Sequence, residues 1–174
     1  TGIGNTVAKN LLKQNVTVIG ISRKHTIKHK NYFAISFDLN DFKNIKNILD
    51  DIVFNHKKID AIISSAGYGV FENLENLKEK EVIDFFNVNL LAHILISKIL
   101  VSHFKKKKTG HFIFIGSEAS LKGNQKSTLY SAAKHGLLGF VKSFREECNK
   151  SEIRVTIINP GMVNSSFFKK LKFS

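Results

Sequence analysis

The 174 residues carry 27 Lys plus Arg against 14 Asp plus Glu, a formal net charge of +13, with one Pro, one Cys and no Trp. A hydrophobic fraction of 43% and a charged fraction of 24% exclude a disordered, collagenous or disulfide-stapled chain and suit one globular core. No apolar run reads long enough to cross a bilayer, no signal-peptide pattern opens the chain, and Cys148 lacks a partner, so a reducing cytoplasm is expected.

In chain order, Thr1-Gly2-Ile3-Gly4 forms a turn, and Val7 to Leu12 has helical spacing. Val16 to Ile21 is a β-branched strand, Lys24 to Asn31 a basic loop, and Tyr32 to Phe37 a strand ending at Asp38. Phe42 to Phe54 repeats apolar residues at helical intervals, and Ile59 to Ile63 is a strand breaking at Ala66-Gly67. Val82 to Phe104 is one long apolar helix or two in series. Phe112 to Ile115 is a strand ending at Gly116-Ser117, Thr128 to Cys148 a helix, and Val155 to Ile158 a strand ending at Asn159-Pro160-Gly161.

Strands alternating with helices predict an α/β fold, a doubly wound parallel sheet in a single domain over 1–174. Ligands of such sheets lie beyond the carboxyl ends of the strands. Ser22-Arg23, Asp38, Ala66-Gly67, Ser117 and Pro160-Gly161 all fall there.

The Gly turn sits where a helix begins, and a helix N-terminus offers unpaired N–H groups and partial positive charge to a phosphate. A dinucleotide-binding turn follows a buried central strand, and nothing precedes Thr1. The expectation is therefore a fragment, in which the strands at 16–21 and 59–63 lack a shared neighbour.

Asn89, Ser117, Tyr130 and Lys134 occur in that order, the last two closing the pentapeptide YSAAK. The i,i+4 spacing in a helix places Tyr130 and Lys134 on one face. A free phenol has a pKa of about 10, and moving it to about 7 takes roughly 4 kcal/mol. One ammonium at about 4 Å supplies that order of energy at an effective dielectric near 20, so Lys134 is expected to lower Tyr130. Tyr130 then serves as general acid in reduction or base in oxidation, and Ser117 holds the carbonyl oxygen.

These residues resemble the short-chain dehydrogenase/reductase family along essentially all 174 positions. Gly2, Ile3 and Gly4 resemble the end of its TGxxxGIG turn, and Asp38 with Leu39 in FDLND resembles its adenine-contacting segment. Ser64-Ser65-Ala66-Gly67 matches NNAG, with hydroxyls replacing the amides that brace the central sheet in the family. Asn89, Ser117, Tyr130 and Lys134 match its four catalytic positions, and Pro160 to Ser165 matches PGxVxT.

The resemblance implies a Rossmann-type fold without its first strand and C-terminal substrate-binding segment. It implies hydride transfer between nicotinamide and a carbonyl or alcohol carbon by a longer parent, this polypeptide alone being inactive. Lys134 would also bind the nicotinamide ribose, Asn89 would support a proton relay through its backbone, and Pro160, Gly161, Val163 and Ser165 would border the nicotinamide. The helices that carry the apolar stripes 82–104 and 137–144 correspond to two that commonly pair subunits in the family, so a homodimer or homotetramer is expected.

NAD-selective sheets place Asp or Glu at the end of the second strand, where this chain has Ser22 followed by Arg23 and Lys24. Arg23 offers a planar fork suited to a 2′-phosphate, so the expected cofactor is NADP rather than NAD.

A different class of function, a non-catalytic NADP-binding regulator or a basic nucleic-acid binder, is weighed against the enzyme. Intact Ser117, Tyr130 and Lys134 favour the enzyme. The Lys105 to Lys108 run fits a helix C-terminus and lacks interleaved aromatics for stacking on bases. Neither nucleic acid nor membrane is expected as a partner. No metal is expected either, since His25 and His29 have no acidic or Cys neighbour suited to one.

Overall fold

Every strand in the computed structural model runs parallel to its neighbours, as the alternation of strands and helices requires. The structure describes residues 2–56, 58–161 and 163. Helix α1 (Gly2–Lys13) leads into β1 (Val18–Ser22) and β2 (Tyr32–Ser36), which pair with Ser22 opposite Ser36. Helix α2 (Ile45–Asn55) precedes β3 (Ala61–Ser64). Helices α3 (Glu79–Phe86) and α4 (Ala92–Lys107) follow, then β4 (Gly110–Ile115), α5 (Thr128–Cys148) and β5 (Ile153–Ile158).

Among the described residues the strands form two sheets, β1-β2 and β3-β4-β5, and β1 is not hydrogen-bonded to β3. This matches the expected lack of a shared neighbour between them. One core nevertheless serves both sheets. Ile19, Ile21 and Ile35 pack against the cluster holding Leu49, Phe104, Phe112, Phe114, Leu137 and Val141. Phe112 meets Phe104 and Phe144 edge-on at centroid distances of 5.0 and 5.1 Å, the geometry favoured by ring quadrupoles.

Helix α1 begins five residues before the expected Val7, since Gly2 and Gly4 already lie in the helical run. The strand expected from Val16 begins only at Val18. Asn15 adopts a left-handed φ of 59°, and the Val16 N–H still bonds the Leu11 carbonyl, so the helix exit consumes those residues.

The long apolar stretch is one helical run. A π turn at Asn87–Leu91 joins α3 to α4 without a break. The sequence reading that no apolar segment reaches membrane length is corrected here. Glu79–Lys107 spans 29 residues and is long and apolar enough by length and composition. Phe85, Ala92 and Phe104 from this run are fully buried within the fold. Its C-terminus carries Lys105, Lys106 and Lys107 before Lys108 turns left-handed at φ 51°, where cations complement the last carbonyls.

Candidate active site

Because the strands are parallel, β3, β4 and β5 end on one edge, at Ser64, Ile115 and Ile158. Beyond β4, the Ser117 N–H donates to Asn159 Oδ1 (3.2 Å) and the Glu118 N–H to the Pro160 carbonyl (3.2 Å). These bonds lace the β4 and β5 exits together. A Cβ on Gly116 would lie 2.0 Å from Asn159 Oδ1, so only glycine permits the approach.

Ser117 caps a short 3₁₀ turn, Glu118–Ser120, accepting from the Ala119 N–H at 3.1 Å. Its hydroxyl also faces the Tyr130 phenol closely enough to pull the phenol's pKa down. Lys134, one turn along α5, is buried, and its Nζ lies 5.8 Å from the Tyr130 ring centre. Nζ donates to the Ile115 carbonyl at 3.0 Å. Phe71 packs against the Tyr130 ring at 5.5 Å between centroids. Ser117, Tyr130 and Lys134 are therefore brought together.

Their electrostatics depart from the sequence expectation. The Tyr130 hydroxyl is raised above its ordinary value of 10.0, burial outweighing the opposing pull of Ser117. Lys134 is itself lowered to about 8 by burial. Desolvation disfavours the charged form of each group. Lys134 also directs its ammonium to a backbone carbonyl, which the spacing argument did not anticipate.

Asn89 lies in the π turn and is completely buried. Its Oδ1 accepts from the Tyr68 N–H (3.1 Å) and its Nδ2 donates to the Phe85 carbonyl (3.0 Å), satisfying both ends of the amide. A Cβ on Gly67 would stand 2.7 Å from Asn89 Oδ1, so Gly67 lets the strand-end turn rest on this side chain. An inserted residue in a helix re-aims its side chains, which accounts for Asn89 facing the turn.

The remaining candidates lie at the start of α1 and at strand ends. Gly2 opens α1 with φ 71°, a Cβ there would meet nothing within 4 Å, and the first turn holds no acid. Ile3 is half-buried, and a Cβ on Gly4 would meet Ser65 Oγ. This open N-terminus fits a phosphate. Ser22 ends β1 with its hydroxyl on the Lys24 carbonyl (2.8 Å), while Arg23 is exposed. Asp38 is exposed and accepts from the Asn40 N–H (3.0 Å), and Leu39 packs on the core. The Tyr68 hydroxyl is raised chiefly by burial and also feels the charges of Asp84, Arg23 and Asp38. Ala66 is half-buried, Gly161 approaches the Glu118 carboxylate, and Val163 is exposed. Ser165 and Thr1 lie outside the described residues.

Sequence reasoning missed His93. It is buried, with Nδ1 2.5 Å from Ser64 Oγ and Nε2 3.0 Å from the Ala66 carbonyl. Its i+4 position relative to Asn89 in a helical run was a readable signal.

The model for short chain dehydrogenase matches residues 1–173. The chain belongs to the short-chain dehydrogenase family. A 3-oxoacyl-(acyl-carrier-protein) reductase FabG of Buchnera aphidicola subsp. Acyrthosiphon pisum is 36% identical over 98% of this chain and 72% of its own length. A metagenomic short-chain oxidoreductase in complex with NADP shares 26% identity at a TM-score of 0.87, over 94% of this chain and 78% of that one. A 4-hydroxyisoleucine dehydrogenase complexed with NADH shares 26% identity at 0.83, over 92% and 71%. Membership places this short-chain dehydrogenase among Rossmann-fold, NAD(P)-binding oxidoreductases.

Proposed function

We propose that this chain carries the cofactor and catalytic site of an NADP-dependent oxidoreductase acting on a small carbonyl or alcohol compound in the cytoplasm. The observation that carries the reading is the convergence of Ser117, Tyr130 and Lys134, with Ser117 acting on the phenol and Lys134 Nζ 5.8 Å from its ring.

Bound nicotinamide supplies or accepts the hydride. The chain's own groups move the proton and hold the oxygen. A substrate oxygen at the Tyr130 hydroxyl takes its proton in reduction, while Ser117 stabilises the negative charge that develops there. Lys134 keeps positive charge beside the phenol and is suited to a ribose hydroxyl. Asn89 fixes the π turn and the Gly67 turn, and its backbone is assigned the water-linked end of a proton path.

Gly2, Ile3 and Gly4 would hold the pyrophosphate, Asp38 and Leu39 the adenine, Ala66 and Gly67 the neighbouring ribose. Pro160, Gly161, Val163 and Ser165 would border the nicotinamide. The absence of a carboxylate at Ser22, with exposed Arg23 beside it, supports the 2′-phosphate and hence NADP.

A groove of about 330 Å³ on α4 and α5 is lined by Ile94, Val101, Phe140 and Phe144, among others. It supports pairing through these helices as a homodimer or homotetramer.

The test, on the full-length protein, is NADPH consumption with a carbonyl panel that includes a 3-oxoacyl thioester, run beside NADH. Retention of NADPH without turnover on any member would favour a cofactor-binding regulator instead.

A further inference from the structure

Beyond the last paired residue of β3, Ser64, the chain must hold the turn through Gly67 without further strand pairing. Ser64 is buried, and its hydroxyl lies 2.5 Å from His93 Nδ1. His93 Nε2 lies 3.0 Å from the Ala66 carbonyl. A carbonyl only accepts, so Nε2 carries the proton, and the Ser64 hydroxyl donates to the lone pair on Nδ1. One turn earlier on the same helical run, Asn89 Oδ1 accepts from the Tyr68 N–H. Two side chains thus grip the turn on either side of exposed Gly67.

We propose that His93 is a positioning residue that aims the Gly67 peptide N–H at the bound nucleotide, through the hydrogen-bonded chain Ser64–His93–Ala66. The peptide joining Ala66 to Gly67 is planar and trans, so its C=O and N–H point in opposite directions. Drawing the Ala66 carbonyl inward onto His93 therefore turns the Gly67 N–H outward, over the strand-end edge. The imidazole bridges the Ser64 hydroxyl and the Ala66 carbonyl with its two nitrogens. The ring is held neutral by burial and by the neighbouring Lys134 charge, which keeps Nδ1 free to accept. Ser97 anchors this part of α4 by donating to the His93 carbonyl at 2.8 Å.

The proposal rests on the nucleotide site described above, so its test separates the two. His93→Leu fills the same space without a donor. It should raise the NADPH Kd about tenfold, as for one lost hydrogen bond, with the KM for a carbonyl substrate within about twofold. His93→Gln, whose amide nitrogen stands in for Nε2–H, should return the Kd to within about threefold of the parent. Nitrogen NMR of the unaltered protein should show a neutral His93 protonated on Nε2. A folded His93→Leu protein with parental NADPH affinity overturns the proposal. So does a Gln variant no better than Leu, or an Nδ1-protonated ring. If His93→Leu does not fold, Ser64→Ala replaces it, with a Kd rise of about threefold expected and an unchanged Kd decisive against the idea. Failure of the unaltered protein to bind NADPH overturns the oxidoreductase reading, and the tautomer spectrum then judges the Ser64–His93–Ala66 chain by itself.

Discussion

Lys134 Nζ lies 5.8 Å from the centre of the Tyr130 ring, yet burial sets the resting protonation of both groups. The phenol is raised above 10.0 and stays protonated through neutral pH, while the amine is lowered to about 8. A protonated phenol is ready to act as an acid, which suits carbonyl reduction.

Tyr130→Phe keeps the ring against Phe71 and removes only the proton donor. Reduction should fall by about 10²- to 10⁴-fold, with NADPH affinity held within about threefold. Stopped-flow turnover beside a fluorescence titration measures both, and activity surviving at parental level would refute the assigned role. In the unaltered protein, reduction should be level through neutral pH and decline in alkali, while oxidation rises with pH.

Lys134 is a buried cation whose Nζ donates to a backbone carbonyl. Unfolded, the amine holds its proton to 10.5, but folded only to about 8. Between those values the unfolded chain binds more protons, so stability should rise with pH across that window. The penalty is fully present below about pH 8 and amounts to about 3 kcal/mol. Lys134→Met should therefore raise the melting temperature at neutral pH while lowering turnover at least tenfold. A melting temperature unchanged or lowered would contradict the desolvation argument.

His93 behaves in the same sense at acid pH. Its ordinary value of 6.5 drops to about 4 in the fold, first by burial and then by the Lys134 charge. Between about 6.5 and 4 the unfolded chain binds the extra proton, so stability should fall as pH drops through that range, by about 3 kcal/mol. Urea titrations from pH 7 to 4 should lose much of this slope in His93→Gln, and an unaltered slope would place the acid sensitivity elsewhere.

Ser22 ends β1 beside exposed Arg23. Ser22→Asp introduces a carboxylate that repels a 2′-phosphate and accepts from ribose hydroxyls. The ratio of NADPH to NADH affinity should fall at least tenfold, and an unmoved ratio would remove Ser22 from the adenosine site.

Much of the site was legible because helical and strand periods are local properties. The spacing of Tyr130 and Lys134 put both on one face of a helix, and Thr128–Cys148 is bounded as expected. The parallel order of strands followed from alternation with helices, so the placing of Ala66, Ser117 and Pro160 just beyond parallel strand ends was foreseeable. The π turn at Asn87–Leu91 was not legible, since its extra residue is fixed by what Asn89 bonds across the fold rather than by any local pattern. His93 escaped notice for the same reason, its partners Ser64 and Ala66 lying 29 and 27 positions away.

The sequence by itself determined the family, the α/β alternation and which side chains could exchange a proton, because residue type and short-range spacing carry that chemistry. Only the tertiary structure decided protonation. Solvent exclusion around Tyr130, Lys134 and His93 comes from segments distant in the chain, and desolvation is the leading cause of all three shifts, raising the phenol and lowering the amine and the imidazole.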